Sequence, residues 1–266
     1  VLVLIPAGQV ALGKLGQSLA YGARTVQVRG DFDSCLRLVR EASARLGVYL
    51  LNSVNPFRIQ GQKTIMFELL EQLDWEAPDW VVVPAGNLGN TAAFGMALVE
   101  AHRLGLTDRV PRLAAVQAEG ASPFAAGFAE GFTRRRRMTA NTVATAIRIG
   151  EPASWDRAVR SIRDTDGVVT AVSDAEILEA KAVIDGSGVG CEPASAASVA
   201  GARSLRRVGV IGAGDRVVAV LTGHILKDPE ILLRDLGGSD GARAPSVGLT
   251  EIDPTLGELE RVLKRR

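Results

Sequence analysis

The sequence predicts a layered α/β protein built on a mainly parallel sheet. Three observations carry that expectation. Apolar, β-branched runs alternate with stretches of helical spacing along most of the 266 residues. The joints between them are short and draw on the chain's 29 glycines. The stretch up to Leu51 reads as a compact β-α-β-α-β unit, which right-handed crossovers would pair in parallel.

The elements follow in order. Val1–Ile5 is strand-like and ends in a polar turn at Pro6–Gly8. Residues 11–21 have helix spacing through Leu12, Leu15, Leu19 and Ala20, and Thr25–Val28 alternates as a short strand. Asp31 or Asp33 caps the next helix, whose apolar face runs from Phe32 through Cys35, Leu36, Val39 and Ala42 to Leu46. Val48–Leu51 is another strand candidate. Asn52–Arg58 reads as a polar loop in which Pro56 discourages helix before it, and it marks a crossing between two lobes. A helix over about 62–73, the strand Trp80–Val83 and a helix over 90–103 come next. Leu113–Gln117 reads as strand, and Ala118–Ala129 as loop plus helix. Residues 141–149 and 154–164 have helical character, and Val168–Val172 is a strand. Ser173 and Glu176 form the S-x-x-E pattern of a capping box for a helix over 174–185. A helix over 193–207 and a strand Arg216–Leu221 complete the regular part. Residues 237–248, rich in Gly, Ser, Ala and Pro, read as loop before a short helix near 256–264.

Bulk properties exclude several function classes. A chain of this length buries roughly 75% of its unfolded surface, as one large domain or two smaller ones. Thirty-one Lys and Arg against 30 Asp and Glu give a formal charge of +1, with no global argument for nucleic acid or an anionic membrane. Cys35 and Cys191 are the only cysteines, and His102 and His224 the only histidines. They neither staple the fold nor make a histidine-rich metal site, so a reducing cytoplasm is the expected compartment and no metal is expected. No apolar run approaches the ~20 residues of a membrane span. The opening run lacks the basic flank and cleavage pattern of a signal peptide. Val1–Ile5 reads as a core strand already under way, so the expectation is a chain lacking its N-terminal part.

Four segments carry chemistry. In Val83–Asn90, V-P-A-G-N-L-G-N, an apolar run meets a glycine-bearing turn and then an Ala-rich helix. That order leaves several backbone N–H groups aimed one way, a cradle for phosphate, with a plain strand-to-helix turn as the alternative. The spacing matches neither the dinucleotide nor the nucleoside-triphosphate glycine motif. Asn52-Ser53-Val54-Asn55-Pro56-Phe57-Arg58 gathers amides, a hydroxyl and a guanidinium fork suited to a phosphate or carboxylate, against the alternative of an Asx turn beside a surface arginine. Cys191-Glu192-Pro193-Ala194-Ser195 is a good helix start whose small residues allow close packing on a helix or a ligand ring. In Val220–His224 the hydroxyl of Thr222 lies at a strand's carboxyl end, where open α/β sheets bind ligands. It brings one hydrogen bond and no charge, which suits a ring nitrogen that must stay unprotonated; a surface threonine is the other reading. His224 reads as solvated, the Arg134–Arg137 run as a solvated face, and Trp75, Trp80 and Trp155 as packing residues.

At these segments the sequence resembles the threonine synthase family, within the fold-type II pyridoxal-phosphate enzymes. The matching stretches are I-P-A-G-Q-V-A-L-G-K-L-G-Q at 5–17, N-S-V-N-P-F-R-I-Q-G-Q-K-T at 52–64 and V-P-A-G-N-L-G-N at 83–90. Further on come T-V-A-T-A-I-R-I-G at 142–150, G-V-G-C-E-P-A-S-A-A at 188–197 and V-L-T-G-H-I-L-K-D-P at 220–229, in order over nearly the whole chain. The glycine-asparagine loop is shared with threonine dehydratases, whereas A-T-A-I-R-I-G and N-S-V-N-P-x-R look specific to threonine synthase. The resemblance implies a two-lobed parallel-sheet fold like that of the tryptophan synthase β chain, incomplete at its N-terminus. It implies residues 1–51 as part of a small mobile lobe, 52–236 as an incomplete large cofactor-binding lobe, and 237–266 as a C-terminal loop and short helix. It also implies conversion of O-phospho-L-homoserine and water to L-threonine and phosphate, with pyridoxal 5'-phosphate as cofactor. Gly86, Asn87, Leu88, Gly89 and Asn90 would surround the cofactor phosphate and Thr222 would meet the pyridine nitrogen. Asn52, Ser53 and Arg58 would receive the substrate phosphate. A homodimer is the implied association state, with no nucleic-acid or membrane partner.

Two departures stand out. The family's S-x-K-D-R-G type motif, which carries the Schiff-base lysine, and its S-G-N-T type loop do not occur here. Lys14, Lys63, Lys181, Lys227 and Lys264 all occupy other contexts. Ile225 replaces the usual glycine after His224. A dehydratase-like lyase and a catalytically silent homologue that binds phosphate ligands therefore stand as alternatives.

Overall fold

The computed structural model describes residues 1–7, 12–52, 55–229, 231 and 252–264. The expected loop at 237–248 and Ser53 lie outside the described residues. The described chain contains two parallel sheets. Strand β1 (Leu2–Pro6) pairs with β2 (Arg24–Val28) across helix α1 (Leu12–Ala20), from Leu2 opposite Arg24 to Pro6 opposite Val28. Helix α2 (Phe32–Leu46) follows, and Asp31, not Asp33, is its cap, accepting a 2.8 Å hydrogen bond from the Ser34 N–H. Gly47 ends the helix at φ 67°, the left-handed C-terminal position that glycine adopts without strain.

The expected strand at Val48–Leu51 is not formed. The carbonyl of Leu50 is taken by the side-chain amide of Asn55 at 2.7 Å, which also reaches the Tyr49 hydroxyl at 3.1 Å. Asn55 at the same time caps α3 (Pro56–Gln62), its Oδ1 accepting from the Phe57 N–H at 2.8 Å. Pro56 therefore opens a helix, because the first helical position needs no N–H. The expected single helix over 62–73 is instead α3 followed at once by α4 (Thr64–Gln72), with Lys63 as the joint.

The larger sheet has strand order β5-β4-β3-β6, all parallel. It is built from β3 (Trp80–Pro84), β4 (Arg112–Ala118), β5 (Val168–Val172) and β6 (Val217–Ala219). Strand β3 is buried along its whole length, and β4 is buried past its first residue, as expected for strands covered on both faces. Val81 and Val83 face a core shared with α4, α5 (Gly89–Arg103) and α7 (Trp155–Asp164), through Met66, Leu70, Phe94, Leu98 and Ile162. Trp80 and Val82 face the opposite core, shared with α8 (Asp174–Gly186) and α9 (Pro193–Arg207). Helix α9 lies close to the sheet because its buried face is alanine, serine and glycine; a Cβ at Gly201 would collide with Val116.

Helix α6 is short (Pro123–Ala129). The expected helix over 141–149 is reduced to a 3-10 turn at Thr145–Ile147, since its polar groups are engaged sideways. Thr142 Oγ1 and the Val143 N–H both bond the Asp174 carboxylate, and Arg148 Nε bonds the Thr142 carbonyl at 2.9 Å. Helix α10 (Leu256–Lys264) lies near the C-terminus.

The order of connections places the site. From β3 the chain moves to β4 and then β5, and afterwards returns to lay β6 on the other side of β3. Strands β3 and β6 therefore flank a topological switch point, and ligands of open α/β sheets bind beyond the carboxyl ends of such strands.

Candidate active site

Both leading sequence segments emerge at that switch point. Val82 is opposite Ala219, so Ala85 and Thr222 stand equally far beyond the paired residues, and Gly86 follows directly. The glycine loop then turns into α5 through Leu88, which adopts φ 64°. A buried leucine in the left-handed region is strained, and strain of this kind collects at ligand-binding turns. No side chain caps α5, so its leading N–H groups and the positive end of its dipole remain available to an anion.

The loop is held from three directions. A Cβ on Gly86 would lie 2.9 Å from Ile147 Cα and 3.2 Å from the Ala146 carbonyl, so the T-A-I-R stretch forms one wall and only glycine fits. Asn87 is clamped by the segment before α7: its Oδ1 accepts from the Ala153 N–H at 2.7 Å and its carbonyl from the Ser154 N–H at 3.2 Å. Asn90 Oδ1 accepts from Gln62 Nε2 at 2.8 Å, which docks α3 against the start of α5. Ile59 and Gln62 fill the space beside Gly89.

Thr222 has an exposed side chain whose Oγ1 lies 3.1 Å from Ser195 Oγ. Ser195 is fully buried in the first turn of α9 and accepts a 2.7 Å bond from the Gly223 N–H. Glu192 precedes α9 and its N–H donates to the Gly223 carbonyl at 3.0 Å, while Cys191 and His224 form an antiparallel bridge. The C-E-P-A-S and L-T-G-H segments are thus one unit. Burial, with the nearby Asp185 charge adding to it, pushes the Cys191 thiol up to about 11, so it stays protonated.

Arg58 lies in the first turn of α3 with an exposed side chain, and Asn52 precedes that helix, its carbonyl accepting from the Asn55 N–H at 3.0 Å. The structure brings their helix to the glycine loop through Gln62. Ser53 is outside the described residues. His224 is exposed, its Nδ1 accepting from the Leu226 N–H at 3.2 Å, a capping role. Lys63 is paired with Glu100 and Lys181, buried, with Asp185.

Sequence reasoning did not assign roles to Gln62, Ile147, Ala153, Ser154 or Ser195. Gln62, Ile147 and Ser195 sit inside the matching motifs, which was the available signal. The 66-residue separation of Asn87 and Ala153 left none.

The residues fit a phosphate-bearing cofactor. Asn87 Nδ2 and Thr91 Oγ1 are buried at the start of α5 with no protein partner, and Ser154 Oγ and Gln62 Oε1 beside them are in the same state. Buried polar atoms left unpaired cost free energy, and three of these four can donate to phosphate oxygens.

A model of the pyridoxal-phosphate dependent enzymes matches residues 1–223. Threonine synthase of Methanosarcina acetivorans is 47% identical over 235 residues, which is 88% of this chain and 58% of that protein. The Synechocystis threonine synthase is 47% identical over 236 residues, covering 88% and 59%. Threonine synthase of Mycobacterium leprae is 42% identical over 251 residues, covering 94% and 68%. Among solved structures, Escherichia coli threonine synthase matches 98% of this chain and 63% of its own, with TM-score 0.73 and 24% identity. Maize serine racemase matches 89% and 69%, with TM-score 0.72 and 22% identity. The chain thus spans 58–59% of the Methanosarcina and Synechocystis relatives, and the parallel α/β fold is that of the fold-type II enzymes. With its phosphate-suited loop at the switch point of a parallel sheet, this chain belongs to the family of pyridoxal-phosphate dependent enzymes.

Proposed function

We propose that the chain carries the cofactor cradle and phosphate-receiving elements of a threonine synthase, which converts O-phospho-L-homoserine and water to L-threonine and phosphate. The observation that carries this reading is the cluster of unpartnered buried donors at the start of α5, docked through Gln62 to the helix that holds Arg58. Similarity to threonine synthases at 42–47% identity supports the choice of substrate.

Pyridoxal phosphate, when bound, supplies the electron sink for the chemistry. The chain's own residues bind and orient. Gly86 to Asn90 and Thr91 offer N–H and side-chain donors to the cofactor phosphate, and the α5 dipole adds to them. Ser195, already accepting from Gly223, can donate its own hydrogen to Thr222, which leaves the Thr222 hydrogen for a ring nitrogen. A hydroxyl there keeps that nitrogen unprotonated, where a carboxylate would favour its protonation. Asn52, Ser53 and Arg58 receive the substrate phosphate, the guanidinium offering a paired donor edge. Lys63 and Lys181, each held by a carboxylate, are left outside the chemistry.

The proposal extends to organisation. Residues 1–51 belong to a small mobile lobe, 52–236 to the large lobe and 237–266 to a C-terminal extension, in a cytoplasmic homodimer without a nucleic-acid partner. The arginine run supports the last point, since Arg134 and Arg136 pair with Glu130, Arg135 with Asp156 and Arg137 with Glu151. No helix among the described residues is long and apolar enough to cross a membrane.

The test is product analysis of the holoprotein with O-phospho-L-homoserine. Equal amounts of phosphate and L-threonine are expected, and Arg58→Ala should lower kcat/KM by about 10²-fold or more through a lost charge-assisted pair. Keto acid from L-threonine without phosphate release would replace this reading with a dehydratase. Bound cofactor without turnover would leave a binding protein only.

A further inference from the structure

A second polar cavity, of about 370 Å³, lies away from the glycine loop between α2 and the segments 135–137 and 151–153. Its charged lining is Asp33, Arg37, Arg40, Arg135, Arg137 and Glu151, four guanidinium groups against two carboxylates. Arg37 and Arg40 are one turn apart on the same face of α2. Arg37 donates to a neutral atom, Ser34 Oγ, at 2.9 Å, and Arg40 has no carboxylate partner among the described residues. Arg137 gives one edge to Glu151 and Arg135 one edge to Asp156, both at 2.8 Å. A guanidinium has five N–H donors, so those pairings leave donors on both. The four guanidinium groups outnumber the two carboxylates of the lining, so the concavity carries a net positive charge.

The floor of this cavity is also the clamp on the glycine loop. Glu151 and Pro152 line it, and the next residue, Ala153, both lines it and donates its N–H to Asn87 Oδ1 at 2.7 Å. The Met138 N–H bonds the Gly150 carbonyl at 3.2 Å, tying the arginine segment to the same floor. Helix α2 already reaches this floor, where the Glu151 N–H faces the Asp33 carboxylate, and an anion bridging Arg37 and Arg40 to Arg135 and Arg137 would hold that contact and, with it, the support of Asn87.

We propose that this cavity is a binding site for a small phosphate-bearing anion, distinct from the phosphate cradle at 86–90, and that its occupancy stiffens the segment that holds Asn87. Paired guanidinium edges match tetrahedral oxyanions, and the volume admits a phosphate or a small phosphomonoester.

The experiment is amide hydrogen exchange of the holoprotein, titrated with inorganic phosphate or with glycerol 3-phosphate, against chloride at matched ionic strength. Exchange over residues 34–40 and 150–154 is expected to slow about threefold or more as the site fills. In the double variant Arg37→Gln, Arg40→Gln the apparent affinity should fall about tenfold or more, while Arg45→Gln, on the same helix and paired with Glu41, should leave it unchanged. Saturation at lower phosphate than glycerol 3-phosphate identifies the free ion as the ligand, and the reverse order a phosphorylated metabolite; both support the site. Protection confined to residues 86–92, protection equal in chloride, or equal loss in Arg45→Gln would overturn it. This outcome is independent of the proposed activity, since no turnover is read.

Discussion

Ser195 joins three parts of the molecule through one oxygen. It accepts the Gly223 N–H, lies against Thr222 Oγ1, and stands at the first turn of α9 with no exposure. Replacing it with alanine removes a buried acceptor and leaves the Gly223 N–H unsatisfied. Ser195→Ala should therefore cost about 1–3 kcal/mol in denaturant unfolding. It should also weaken cofactor binding relative to Ser198→Ala, whose hydroxyl bonds within α9, to the Ser195 carbonyl. Equal effects of the two substitutions on cofactor binding would show that Ser195 acts through helix stability alone. At this scale Thr222 and the 86–90 loop were legible from chemistry and chain order. Ser195 was not, because its meaning depends on a residue 27 positions away.

Helix α8 shows how an element is set by its first turn. Ser173 Oγ accepts from the Glu176 N–H at 3.2 Å and the Glu176 carboxylate accepts from the Ser173 N–H at 2.9 Å, the reciprocal capping box that S-x-x-E predicts. The Ser173 N–H, then Arg207 and the Ser173 hydroxyl, hold the Glu176 carboxyl below its usual range against the opposing effect of burial. A depressed folded pKa gives stability that is present above about pH 4.5 and lost as pH falls through the folded value. Glu176→Gln should lower stability at pH 7 by about 0.5–1 kcal/mol and flatten the acid limb of a pH–stability curve. An unchanged acid limb would assign it to other carboxylates. Other elements were misread for reasons of the same scale. Asn52–Arg58 reads as loop throughout, yet Asn55 makes Pro56 the start of a helix, and Val48–Leu51 has strand composition but gives a carbonyl to Asn55. Residues 141–149 have helical spacing, yet Asp174 captures the groups that would start the helix.

Across the whole molecule, α2 faces the 135–137 and 151–153 segments across the arginine-lined cavity, and Asp33 bears the electrostatic cost. Burial raises its pKa first, and the Asp31 and Glu151 charges raise it further, only partly offset by the Glu151 N–H and Arg37. One carboxylate oxygen of Asp33 is buried without a partner. A carboxyl whose folded pKa is raised loses stability as pH climbs from 3.8 through the folded value, so the ionised group is a cost at neutral pH. Asp33→Asn should raise thermal stability at pH 7, by a few tenths of a kcal/mol, with no difference below about pH 3.5. Lower stability of the variant at pH 7 would mean that the carboxylate is needed as a partner for the cavity's arginines.

The sequence by itself determined the class of fold, most of the strands and long helices, and the two strand-end segments of the candidate site. These depend on local periodicity, on helix caps within four residues, and on where an apolar run meets glycine. The tertiary structure alone decided the strand order that returns β6 to β3 and so brings the glycine loop and Thr222 to the ends of neighbouring strands. It also decided the clamp on Asn87, the pairing of Ser195 with Thr222, and the gathering of arginines from α2 and the 135–137 segment. Those contacts join residues 27 to about 137 positions apart. No local pattern encodes which distant partner satisfies a buried polar group; that is settled only when the packed layers leave it one neighbour within reach.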